Sequence, residues 1–291
     1  MKKLVSAFMI FTTLTSFSQE TEAPKDGWKI GGNVSFIFNQ SAFNAEWLGG
    51  GTSNIAGNIA VSYDFNYKKE DWNWDNKLLL DYGLTKIKND DFTKKTNDRL
   101  EFNSLLGKKA GKNWYYSAFL NFRTQITKGY EFATDIDGNQ TRTEITHFLS
   151  PAYIQIGPGM LWKKNDNLKI NIAPATARWI LVDKAFTNGL PDGSYFGVDQ
   201  GKSSRLEFGA SLSGYAKLKL MDNVTMENIL SLYSNYLEDP QNVDIDYTMN
   251  VVMTINKYLT TNLIFQAIYD DNAVGAFQIR EMFGLGINYK L

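Results

Sequence analysis

The stretch Asp244-Ile245-Asp246-Tyr247-Thr248-Met249-Asn250-Val251-Val252-Met253-Thr254-Ile255-Asn256 decides the fold of this chain. Taken at alternate positions it separates into two faces. Ile245, Tyr247, Met249, Val251, Met253 and Ile255 share one parity, and Asp244, Asp246, Thr248, Asn250, Thr254 and Asn256 share the other. Successive side chains of an extended strand point to opposite sides, so this is a strand with one apolar and one hydrophilic face. It is also much longer than the ~5–6 residues usual in soluble sheets.

The same pattern recurs from end to end. Ile55, Ile59, Val61, Tyr63, Phe65 and Tyr67 oppose Asn54, Asn58, Ser62, Asp64 and Asn66, and Leu206, Phe208, Ala210 and Leu212 oppose Arg205, Glu207, Ser211 and Ser213. Spans of this kind lie at 28–40, 53–67, 72–86, 98–107, 113–127, 149–162, 167–182, 204–220, 223–237, 243–256, 261–271 and 277–291. The span 167–182, with Pro174 and Arg178, is the least regular. Connections after the even spans are short and polar, such as Lys68–Asp71 and Met221-Asp222. Those after the odd spans are longer, such as Ser41–Thr52, Ile87–Asn97, Lys128–Phe148 and Asp183–Ser203. Long amphipathic strands with alternating short and long connections predict an all-β fold, a transmembrane antiparallel barrel of about 12 strands.

Composition narrows the function. The chain has 291 residues and a formal net charge of -1, which gives no basic footprint for nucleic acid. Cysteine is absent and histidine occurs once, at His147, which excludes disulfides, thiolate chemistry and multi-histidine metal centres. Residues 1–18 read as a signal peptide. Lys2 and Lys3 precede the short apolar run Leu4–Leu14, and Ser16-Phe17-Ser18 gives the small-x-small cleavage pattern. A short periplasmic segment, 19–27, then leads into the barrel, 28–291. The expected location is the outer membrane, with both termini in the periplasm.

Aromatic placement points to lipid. Trp28, Trp72, Trp74, Trp114 and Trp162 fall near the N-terminus or short turns, each on the apolar parity of its strand, and Tyr289 does so in the last strand. An indole suits the headgroup zone because it has an apolar body and a polar N–H, so these residues read as a membrane-interface girdle. The final strand alternates Phe283, Leu285, Ile287, Tyr289 and Leu291 with Gly284, Gly286, Asn288 and Lys290. Such an ending resembles the signal read by barrel-assembly machinery, which makes that machinery and outer-membrane lipid the expected partners. Envelope protein partners are left open.

Several pieces carry a family resemblance: Trp28-Lys29-Ile30-Gly31-Gly32, Trp47-Leu48-Gly49-Gly50-Gly51, Leu149-Ser150-Pro151-Ala152-Tyr153, Ser234-Asn235-Tyr236-Leu237, Pro240-Gln241-Asn242-Val243-Asp244, Asn256-Lys257-Tyr258-Leu259 and Tyr269-Asp270-Asp271. In order along the chain, they resemble a family of Bacteroidetes outer-membrane barrels catalogued as a domain of unknown function. Leu48 stands where that pattern has a small residue. The resemblance implies a barrel and brings no reaction, ligand or catalytic residue.

Candidate chemistry is sparse. His147 is the weak catalytic candidate, the centre of a lipid-hydrolase reading with a serine partner. Ser150, three residues on along one strand, would face the opposite side. Asp135-Ile136-Asp137-Gly138-Asn139-Gln140 superficially suggests a calcium loop, but Gln140 and Thr146 stand where an EF-hand needs Gly and Glu, so a hairpin turn is expected. Gly49-Gly50-Gly51 lacks the lysine and serine of a phosphate loop. Asp244, Asp246 and Asn250 form an inward ladder, with Glu227 on the preceding strand. They make either an acidic constriction or simple counter-charges for Arg123, Arg205, Lys217 or Lys219 in a filled barrel. No cofactor is expected. The expected function is a narrow pore or small-solute transporter. A structural or partner-binding barrel is the second reading, and a lipid hydrolase using His147 the third.

Overall fold

The computed structural model describes residues 26–44, 52–190, 193–270, 272–273 and 275–290. The leader at 1–18, most of 19–27, Trp47 to Gly51 and Leu291 lie outside them. Twelve strands close on themselves. They are β1 (Gly27–Ser41), β2 (Asn54–Lys69), β3 (Trp72–Ile87), β4 (Lys94–Lys109), β5 (Trp114–Thr124), β8 (Ala152–Asn165), β9 (Leu168–Leu181), β12 (Ser204–Met221), β13 (Val224–Asn235), β14 (Val243–Thr254), β15 (Leu259–Tyr269) and β16 (Gln278–Lys290). Each pairs antiparallel with its neighbours in this order, and β1 closes on β16 through Asn33–Lys290 to Phe38–Leu285. The fold class read from alternation is the one observed.

Four shorter strands stand outside the barrel wall. β6 (Gly129–Thr134) and β7 (Gln140–Thr146) form a hairpin, and β10 (Ser194–Tyr195) pairs with β11 (Val198–Asp199). A single-turn helix, α1 (Lys184–Thr187), is capped by Asp183, whose side chain accepts from the Ala185 N–H. All of these lie in long connections, where alternation carries no signal.

The burial pattern is inverted relative to a water-soluble protein. Large apolar side chains are exposed, among them Ile30, Phe36, Ile59, Leu84, Leu206, Phe208, Phe283 and Leu285. The buried side chains are largely polar: Asn58, Glu101, Asn171, Arg178, Glu207, Ser211, Asn262 and Gln266. Soluble proteins leave scattered apolar groups outside but bury few charges. An apolar outer band around a polar interior is the arrangement that acyl chains require.

The irregular strand has a physical explanation. On β9, Asn171 is buried while Ile170 and Ile172 are exposed, yet further on Thr176 and Arg178 are buried while Trp179 is exposed. The facing parity therefore changes by one near Pro174, where the ladder to β12 shifts between Gly209 and Ser211 and the ladder to β8 between Ile156 and Met160. Proline has no N–H to give, so the ladder breaks there as a bulge. Gly209 permits the close approach, since a Cβ there would lie 1.8 Å from the Ser234 carbonyl oxygen.

Leu80 sits mid-strand on the outer face, beside Val61 and Leu100. Leu80→Arg is expected to cost about 2–4 kcal/mol of folding into lipid vesicles, the range for a cation at the bilayer midplane. Equilibrium folding titrations would read it, with Leu80→Phe near neutral. An arginine tolerated without loss would contradict a lipid-facing position.

Candidate functional site

The inward parity of the strands surrounds a cavity of about 790 Å³. Asp166, Asn167 and Lys257 line it at the short-turn end, and Tyr269 and Asp270 at the long-loop end. Its wall is built from the inward half of each alternation, mostly polar but including Leu105, Phe119, Leu161 and Ile229, so the residues that fix the fold also supply the site.

Among the described residues several ion pairs cross this space, and three of them are built alike. Lys77 Nζ on β3 lies 3.4 Å from Glu227 Oε1 on β13, diametrically opposite in the ring. Arg123 at the end of β5 donates to Asp246 on β14. Arg178 on β9 donates from Nη1 to Asp244 at 2.6 Å and from Nε to Glu207 on β12 at 2.6 Å. Each of these three cations also lies over a tyrosine ring: Lys77 at 5.7 Å from the Tyr215 centroid, Arg123 at 4.9 Å from Tyr153 and Arg178 at 4.0 Å from Tyr233. Tyr215 donates its hydroxyl to Glu227 at 2.7 Å. Cation, carboxylate and ring form a unit that appears three times.

These units lie at different depths. Asp244 and Asp246 are alternate residues of β14, ~7 Å apart along the strand. Glu227 is the ladder partner of Asn250, a further four residues inward from Asp246. The Arg178 unit is outermost. It also borders a small outer pocket with Asn235, Glu238, Asp239 and Asn242, so Arg178 and Asp244 divide that pocket from the main cavity.

Other charges are neutralised as well, one across to β8 and β9 and one within its own strand. Asp75 receives Lys163 at 3.0 Å and Lys169 at 2.9 Å. Arg99 donates from Nε to Glu101 at 2.7 Å, and Glu101 also accepts from Asn103 and Asn121.

The structure thus brings Asp244, Asp246, Asn250, Glu227 and Arg123 to the cavity wall. Arg205 is not among that lining. It points to the long-loop rim, where Nη1 donates to the Gly197 carbonyl at 3.0 Å and Nε lies 2.9 Å from Glu207. Lys219 pairs with Asp222 at a short turn instead of with a lumen carboxylate. Of the proposed counter-charges, only Arg123 meets the β14 ladder directly. Sequence reasoning missed Lys77, Arg178 and the three tyrosines. Lys77 and Tyr215 share the polar parity of their strands and were legible on that ground. Arg178 was hidden by the bulge.

At the short-turn end Trp28, Trp72, Trp74, Trp114 and Tyr289 are exposed, Trp162 is half-buried, and Trp28 lies 5.0 Å from Tyr67 and 6.0 Å from Trp74 between ring centroids. Near the other end Phe38, Trp179, Phe208, Tyr236 and Phe277 are also exposed. That second set escaped the sequence reading.

His147 and Ser150 do not share a strand. Their backbones exchange hydrogen bonds of 3.0 and 2.9 Å across a tight turn, with Leu149 at φ 63°, because Pro151 has no N–H with which to extend the ladder. The Ser150 hydroxyl accepts from the Asp183 N–H at 2.8 Å. His147 Nδ1 lies 2.9 Å from Glu144 and Nε2 3.4 Å from Asp183, with its ring 5.2 Å from Phe186. Its two nitrogens face carboxylates, an arrangement that clasps the β7 end to the 183–203 loop. Phe186, Tyr195 and Phe196 continue that contact onto Tyr153, Ile180, Val182 and Val198.

The loop at 128–148 does not enter the cavity. Its hairpin is held against the β3–β4 connection by a tilted Phe92–Phe132 ring contact and by Arg142 between Phe92 and Tyr130. At its tip Asp135 accepts from the Asp137 and Asn139 N–H groups, which makes the segment a turn. Asp270 likewise accepts from Asn272 and Ala273 in a short turn. Among the described residues no cluster of acidic or histidine groups could hold a metal.

A model of the family described as "Protein of unknown function (DUF3078)" matches residues 38–130. A search of curated proteins returns no match. Among solved structures, the chain is similar to the translocator domain of the autotransporter NalP from Neisseria meningitidis, at 8% identity and a TM-score of 0.41, covering 91% of this chain and 89% of that one. An outer membrane channel from Pseudomonas putida F1 aligns at 11% identity and 0.40, covering 95% and 99%. The Pseudomonas putida toluene transporter TodX aligns at 8% and 0.35, covering 92% and 89%.

The clasp predicts a pH effect. Hydrogen bonds from Lys128 and then His147 hold the half-buried Glu144 carboxyl below its usual value of 4.5. A depressed carboxylate contributes above its unfolded value and loses that contribution as pH falls through the folded one. Pepsin nicking of the 183–203 loop should therefore rise as pH drops below 4.5, and Glu144→Ala should show raised nicking by a neutral protease. Unchanged loop cleavage in that variant at neutral pH would contradict the clasp.

Proposed function

We propose that this chain is a narrow outer-membrane pore for small hydrophilic solutes. The observation that carries the reading is the cavity itself, which presents charged and polar groups at several depths and is lined by residues from both rims of the barrel. A barrel of this size can be packed solid with side chains. Here charged and polar inward groups surround an open cavity with room for water, while the crossing pairs keep the passage narrow. Lumen charges of both signs favour selective passage over bulk diffusion.

Orientation follows from the even strand number and the loops. A chain exported through the leader at 1–18 leaves its N-terminus in the periplasm, with the short turns there and the long loops outside. Trp28, Trp72, Trp74, Trp114, Trp162 and Tyr289 then form the periplasmic girdle in contact with outer-membrane lipid. The alternating last strand supports handling by barrel-assembly machinery, and the motifs noted in the sequence support a Bacteroidetes source. With the ring of His147 turned to Glu144 and Asp183, the site favours a pore over a lipid hydrolase.

Planar bilayers containing the purified full-length barrel should show small, discrete conductance steps in potassium chloride. Lys77→Ala, which removes one crossing cation, should enlarge them. A barrel shown to be folded by its heat-modifiable gel migration, yet silent at every voltage, would overturn the pore.

A further inference from the structure

The three tyrosine-backed pairs run in one sense, whereas Lys29 on β1 crosses in reverse to Asp166 in the β8–β9 turn at the short-turn mouth. Lys77, Arg123 and Arg178 stand on the arc formed by β3, β5 and β9, and their partners Glu227, Asp246 and Asp244 stand on β13 and β14. Carboxylates on the cationic arc are themselves matched: Asp75 by Lys163 and Lys169, Glu101 by Arg99, and Asp81 by Arg99 and Arg280. Along these three units the cations, backed by tyrosine rings, lie on one side of the passage and the carboxylates on the other.

A solute can pass only if each bridge gives way. What replaces a bridge at low cost is set by charge. An anion could take Arg123 but would leave Asp246 unpaired beside it. A cation on Asp246 would leave Arg123 unpaired. Either leaves an uncompensated charge in a poorly solvated lumen, which is expensive. A neutral polyol offers neither charge and cannot match the charge-assisted bonds it must displace. A molecule carrying one carboxylate and one ammonium can satisfy both walls at once. Its carboxylate takes the guanidinium, its ammonium takes the aspartate, and the lumen's charge balance is kept. The same exchange is then available at the next unit, outward at Arg178–Asp244 or inward at Lys77–Glu227.

Building on the pore reading, we infer that the lumen selects small zwitterions of the amino-acid or short-peptide type, handed along three successive cation–carboxylate pairs. The tyrosines under the cations keep each one in place while its carboxylate partner is exchanged.

Liposomes containing the full barrel test this by swelling in isotonic glycylglycine, in a neutral polyol of matched size, and in potassium gluconate. Potassium chloride conductance is recorded on the same preparation. The dipeptide should enter about tenfold faster than the polyol, the lower end of the enrichment that a charge-lined cleft produces, and faster than gluconate. Arg123→Gln should abolish that preference. Arg123→Glu combined with Asp246→Arg should restore it, because opposite charges again face each other across the lumen. Equal entry of dipeptide and polyol through a conducting barrel would overturn zwitterion selection and leave the pore standing. Absence of conductance in a folded barrel would remove both.

Discussion

Everything in this structure follows from the fact that hydrocarbon offers a backbone no hydrogen bonds. Each N–H and C=O within the bilayer must find its partner in the chain, so a sheet that crosses lipid has to close. Closure turns period-two alternation into inside and outside. The apolar half of every strand then faces acyl chains, and the polar half is gathered into one enclosed volume whether or not it has a function there. The chemistry of the lumen is therefore concentrated by the fold.

Enclosure makes the inward charges interdependent. Arg178 is 4% exposed and Glu207 1%, so neither could remain charged there alone. Desolvation of such groups costs several kcal/mol each unless geometry and further hydrogen bonds offset it. Arg178 meets that demand with two carboxylates and a tyrosine face. Crossing pairs hold facing walls together as well as narrowing the passage. In the pore proposed, the contacts that brace the barrel would also be the ones that discriminate among solutes.

The twelve barrel strands were legible because lipid enforces alternation at nearly every wall position, as in β14. The inward ladder Asp244, Asp246 and Asn250 was legible for the same reason. Partners were not. Strand parity says that Asp246 points inward but not which residue five strands away reaches it, since that depends on shear and tilt. Arg178 was obscured by the bulge at Pro174, which exchanges inner and outer parity midway along β9. The loops carried less signal still. The β6–β7 turn was foreseeable from the pair Asp137-Gly138, whereas the His147 clasp depends on Asp183 and Phe186, contributed by a different connection.

The central claim, that alternate residues meet water and lipid, can be measured directly because the chain has no cysteine of its own. Single cysteines placed in turn along 245–252 of β14, in barrels folded into vesicles, would be tested with a small water-soluble maleimide and, once labelled with a fluorophore, with brominated lipid. The account predicts that positions 246, 248, 250 and 252 react with the aqueous reagent while 245, 247, 249 and 251 are quenched by lipid. Uniform reactivity along the strand, or the opposite parity, would contradict it.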